Sequence, residues 1–139
     1  MRSTAQPVSP RSLEWAEPPA HYPKALRALE ADVGLAPLAD HPYNRARSNL
    51  TWLEYSAAGL ATLATDRPPY AETTALCVPP DNGYAWYKAM RNLIEEKKLR
   101  CELALASRKM AVANWTWEGG KGAWLNFFRD FVYKRTERA

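Results

Sequence analysis

The sequence predicts an all-α fold: a small helical bundle with one long helix in the C-terminal half, an extended Pro-rich N-terminal arm and a short terminal amphipathic helix. Three observations carry this prediction. All eleven prolines lie before residue 81, and proline breaks helix interiors by removing a donor and clashing with the preceding turn. No Pro or Gly occurs between Tyr84 and Trp115. Apolar residues recur at alternating steps of 4 and 3 in two places, which is the signature of a helix with one buried face.

Taken in order, residues 1–22 read as the extended arm, with Trp15 and Tyr22 able to anchor it. Residues 23–139 read as a single helical domain. Its first helix opens at Pro23, a residue favoured in the first turn, carries Leu26, Leu29 and Val33, and ends at Gly34 and Pro37. After the corner Asp40-His41-Pro42, a stripe at positions 46, 50, 53, 57, 60 and 64 predicts a second helix. Gly59 within it costs about 1 kcal/mol relative to Ala if it occupies a helix interior. Residues 65–80 form a Pro/Thr-rich connector, which at that length is expected to lie over helices or over a neighbour. Thr73 to Val78 could pair at a sheet edge, but no nearby segment makes a second strand.

Asp81-Asn82-Gly83 supplies a turn and an N-cap. A continuous helix from Tyr84 to Trp115 would be about 48 Å long at 1.5 Å per residue. Leu99, Leu103, Ala106, Met110, Ala113 and Trp117 form its expected core seam, with Ile94, Cys101, Leu105 and Val112 as a second row. Glu96 and Arg100 stand at i, i+4 spacing for an ion pair. Residues 119–122, Gly-Gly-Lys-Gly, are expected to stop the helix, and 123–135 to form the terminal one. Its aromatics, together with two tryptophans before it, are the expected partner-docking residues: Trp115, Trp117, Trp124, Phe127, Phe128 and Phe131.

Composition narrows the function classes. A chain of 139 residues fits one domain that buries roughly two thirds of its unfolded surface. The apolar share of 47% and charged share of 24% are those of a packed protein. The net charge of +4 is uneven. Residues 1–80 hold seven basic and eight acidic side chains, whereas 81–139 hold twelve and seven, so the basic excess sits in the C-terminal part. Cys77 and Cys101 have no CxxC or His neighbours, so neither a zinc site nor a disulfide framework is expected. No segment offers the ~20 apolar residues of a membrane span. The start of the chain, basic and Ser-rich, has the composition of an organelle-targeting peptide, although its prolines interrupt an amphipathic helix.

No catalytic constellation is legible. The two histidines, His21 and His41, sit beside prolines in expected corners, and no GxSxG, GxGxxG, P-loop or HExxH is present. The expectation is therefore a non-enzyme with no catalytic, cofactor-binding or metal residues and no small-molecule substrate. Trp115, Trp117, Lys121, Trp124, Phe128, Arg129, Tyr133, Lys134 and Arg135 interleave rings with cations, as single-stranded nucleic-acid binders and membrane-surface helices do. The intervening Glu118, Asp130 and Glu137 weigh against both.

The stretch Ile94-Glu95-Glu96, then Glu102 to Met110, then Trp115-Thr116-Trp117-Glu118, resembles the last helix of the alpha subcomplex subunit 5 (B13) family of mitochondrial complex I, the NADH:ubiquinone oxidoreductase. The family's acidic helix entry, Glu-Leu-x-Leu step, Lys-Met pair and close tryptophans have counterparts there. Upstream, Leu29-Glu30, a Pro corner and the Tyr43 and Arg45 pair follow a similar order. The extra residues between Leu105 and Lys109 and between Met110 and Trp115 depart from the pattern, and the helix after Gly122 has no counterpart. The resemblance implies a helical accessory subunit without cofactor, bracing neighbouring protein subunits of the respiratory chain on the matrix side of the mitochondrial inner membrane. The alternatives are an accessory subunit of ATP synthase or of the mitochondrial ribosome, and a single-stranded nucleic-acid binder.

Overall fold

The structure is a computed structural model that describes residues 22–122 and 125–126. The chain divides into two compact units at Glu30/Ala31. In the first, helix α1 runs Tyr22–Ala28. It ends where Glu30 takes a left-handed conformation, φ 50°.

The second unit is organised by a parallel sheet, which overturns the all-α expectation. Three strands, β1 (Val33–Ala36), β2 (Ala61–Thr65) and β3 (Leu76–Val78), pair in the order β1-β2-β3. Val33 faces Ala61 across the first pair and Leu63 faces Leu76 across the second, both parallel. Parallel neighbours need crossovers. Here these are α2 (Pro42–Arg45) with α3 (Leu50–Ala58), and then the single turn α4 (Pro68–Ala71).

Each departure from the sequence reading has a local cause. Val33, assigned to the first helix, opens β1, and Gly34 and Pro37 lie in and just beyond that strand rather than at a helix end. The stripe from 46 to 64 joins two helices to a strand. Gly59 is the αL cap of α3, φ 84°, not an interior residue; a left-handed cap is where glycine is favoured, because it has no Cβ to clash. Leu60 then turns the chain into β2, every residue of which is buried. The 65–80 connector contains α4 and β3.

Two hydrophobic clusters sandwich the sheet. On one face Ala61, Leu63 and Val78 pack with Ala89 and Leu93 of α5 (Gly83–Glu95). On the other, Ala36 and Ala64 pack with Trp52 of α3 and Tyr70 of α4. Both crossovers therefore lie on one side and α5 covers the other, giving three layers.

The expected long helix is two. Asn82 caps α5, its Oδ1 accepting from the Ala85 N–H at 2.9 Å, as its sequence predicts. At Glu96 the backbone leaves helical geometry, ψ 83°, and α6 (Lys97–Trp115) begins. Arg100 does not pair with Glu96. Its guanidinium donates to the carbonyls of Leu93 at 2.6 Å and Ile94 at 3.2 Å and lies 3.6 Å from Asp32, closing the end of α5. Leu99 and Leu103 pack on the first cluster, Met110 and Ala111 on the second, so α6 passes from one face of the sheet to the other. Its buried line centres on Ser107, whose Oγ lies 2.7 Å from that of Thr74. Ala106, Ala113 and Trp117 of the expected seam are exposed.

The Gly-rich segment does not stop the helical path. Thr116 breaks α6, and helical backbone resumes at Trp117 and runs to Gly122. Thr116 Oγ1 donates to Val112 O and accepts from the Gly119 N–H. A side chain at Gly119 would collide with the Ala113 carbonyl. Apart from Leu125 and Asn126, the expected terminal helix lies outside the described residues.

Candidate functional site

Parallel α/β sheets present ligand sites beyond the carboxyl ends of their strands, where the loops that follow the strands meet helix N-termini. In this chain that edge is built from the segments after β1 and β2. After β1 come Asp40, the α2 turn and Arg47-Ser48-Asn49; after β2 come Asp66, Arg67 and the α4 turn.

Local chemistry fixes these loops. His41 caps α2, its Nδ1 accepting from the Tyr43 N–H at 3.2 Å. Asn44 Nδ2 donates to Ala39 O. Thr65 Oγ1 accepts from the Leu38 N–H at 2.7 Å, tying the exits of β1 and β2 together. Asp40 joins both loops, with Arg45 at 2.7 Å and Arg67 at 3.2 Å. The hydrogen bond from Arg45 holds the Asp40 carboxyl below its ordinary pKa; desolvation opposes it, and the charges of Arg45 and Arg67 add to the lowering. The Arg67 Nε is buried without an acceptor.

Beside this ion cluster opens a cleft of about 580 Å³, a size that suits a small organic ligand. One wall is Arg47, Ser48 and Asn49 at the N-terminus of α3; another is Pro68, Pro69, Glu72 and Thr73 at α4; the last turns of α6 supply Met110, Asn114 and Trp115. Asn49 makes no side-chain cap, and α3 has no acid in its first turn. The amides of that turn are thus left for another acceptor, in the positive end of the helix dipole. Glu72 can accept hydroxyl protons, and Trp115, 55% exposed, offers an indole face.

Of the expected docking residues, Trp115 lies in this cleft and Trp117, 79% exposed, lies in the short helical turn after it. Trp124, Phe127, Phe128 and Phe131 lie outside the described residues. Arg47, Ser48, Asn49, Glu72 and Asn114 were not legible as a site. The available signal was Ser48-Asn49 ahead of a helix, which becomes informative only once β1 is known to precede it. Cys77 and Cys101 are free thiols, and burial, helped by the charge of Asp66, pushes the Cys77 thiol pKa up. Among the described residues no group of His, Cys, Asp and Glu could hold a metal ion, and no helix is long and apolar enough to cross a membrane. In comparisons with known proteins, the chain matches no family model, no curated protein and no solved structure.

Proposed function

We propose that this chain is a ligand-binding α/β unit whose cleft takes a phosphate-bearing small molecule of the nucleotide class. One observation carries the reading: the parallel β1-α3-β2-α4-β3 order, the βαβαβ unit from which mononucleotide-binding folds are assembled, has a cleft at its carboxyl edge against an uncapped helix N-terminus. The phosphate would rest on the α3 amides, with Ser48 and the Arg47 guanidinium beside it, because amides at a positive helix end complement an anion. Glu72 would accept hydroxyls of the attached sugar, and Trp115 would bound the far side. This departs from the expectation of a chain without a small-molecule substrate, which rested on the absence of a recognisable catalytic or phosphate-binding motif. The test is calorimetric titration of the full chain with a nucleoside diphosphate and with pyrophosphate. Binding of both, weakened about ten-fold or more by Arg47→Glu at this exposed position, is the expected result. Absence of binding by either ligand, or equal affinity in the variant, rejects the site.

A second reading is the accessory-subunit role in a mitochondrial complex, most simply complex I. Supporting it, α5 turns Tyr84, Tyr87 and Ile94 outward, all exposed, as a protein-covered helix would. The segment that resembles the B13 family, 84–118, is almost wholly helical. Its upstream part, 23–64, contains two strands that the family's helical pattern does not imply. Native-gel separation of solubilised mitochondrial membranes decides it. Co-migration with complex I supports the role, and absence from every large band removes it.

A further inference from the structure

We propose that the outward face of α6 docks on an anionic lipid surface. The observation is how that face is composed. Cys101, Leu105 and Val112 run along its centre at steps of 4 and 7, and all three are exposed, Leu105 at 69% and Val112 at 54%. Lys97 and Arg108 flank this line on one side, Lys98 and Lys109 on the other, each pair three turns apart and every member exposed.

The only acid within this face is Glu102, 3.9 Å from Lys98. Lys97 and Lys109 have no ion-pair partner among the described residues. Arg108 is anchored by a bond to the Ala57 carbonyl at 2.9 Å, which fixes its place along the row.

Charge and shape together select the occupant. Four cations against one carboxylate attract an anionic surface, and the lysines Lys97, Lys98 and Lys109, on both flanks, can reach headgroup phosphates while the central line enters the acyl boundary. The apolar line is narrow, one residue wide, whereas a stable protein interface removes about 800 Å² per partner around a broader apolar centre. Shallow insertion needs no such breadth. Because no described helix can cross a bilayer, attachment would be peripheral. The opposite side of α6 packs on the sheet, so docking leaves the fold unaltered.

The test is co-sedimentation of the full chain with phosphatidylcholine vesicles, with and without phosphatidylserine, at low salt and at ~0.15 M salt. Binding to the phosphatidylserine vesicles only, weakening as salt rises, is expected. Lys98→Glu with Lys109→Glu should lower the partition coefficient about 20-fold or more. Leu105→Ser with Val112→Ser should lower it about ten-fold at unchanged salt dependence. All four positions are solvent-facing, and circular dichroism checks that the variants fold. No sedimentation with anionic vesicles, equal binding to neutral ones, or variants that bind like the wild type would each overturn the proposal. So would charge-dependent capture by polyglutamate or oligo(dT) without vesicle binding, which would assign the face to an acidic protein or a nucleic acid.

Discussion

Gly34 lacks a side chain because the ring of Tyr55 occupies the place where one would go. A Cβ built there falls on the Tyr55 ring, whose hydroxyl donates to the Leu35 carbonyl at 3.1 Å. The ring thus lies over β1 and holds α3 against the edge of the sheet. Gly34→Ala is expected to lower stability by about 1–3 kcal/mol, the usual cost of overpacking. Urea unfolding checks this, and Tyr55→Ala in the same chain should recover part of the loss. Nothing in the sequence distinguishes this glycine from a helix stop, since both readings place Gly after an apolar residue. Gly59 is a different case. Its role as a terminator was hidden, because Leu60 and Ala64 carry the 3 and 4 spacing on through the continuous Leu60-Ala61-Thr62-Leu63-Ala64.

At the scale of elements, that run shows why the sheet was hidden. A strand covered on both faces has no polar alternation, so five apolar or Thr residues look the same as one turn of a buried helix. β1 and β3, of four and three residues, are too short to show a period of their own. Helices fared better: the Asn82 cap and the helical character of 84–115 were both legible, because caps and Pro-free stretches act locally. The break at Glu96 was not. It depends on Arg100 reaching back to the carbonyls of Leu93 and Ile94, and spacing alone offers Arg100 a nearer partner in Glu96.

The loops after β1 and β2 belong to this scale too. Asp40 binds them through Arg45 and Arg67, and its lowered pKa fixes the sign of the pH effect. A carboxyl whose folded pKa lies below its unfolded value, about 4, contributes stability that is complete above that value and lost as pH falls through the folded one. Asp40→Asn should therefore flatten the acid side of the stability profile below pH ~4 and leave any further dependence on other groups. A profile in guanidinium-free urea from neutral to acid pH measures it; an unchanged acid slope would show that the two arginines do not hold this carboxylate in solution.

For the whole molecule, the sequence by itself determined what is local or additive: a packed composition, a basic C-terminal half, the helix cap at Asn82, a Pro-rich first half of short pieces, and the lack of any described helix able to span a bilayer. Tertiary structure decided what depends on residues far apart in the chain. Parallel pairing joins Val33 to Ala61 and Leu63 to Leu76, and no local pattern encodes a partner that distant. The cleft follows from the same cause, since Arg47, Glu72 and Trp115 come together only because α6 crosses from one face of the sheet to the other. Periodicity reports how much of an element is buried, and only the assembled sheet says against what.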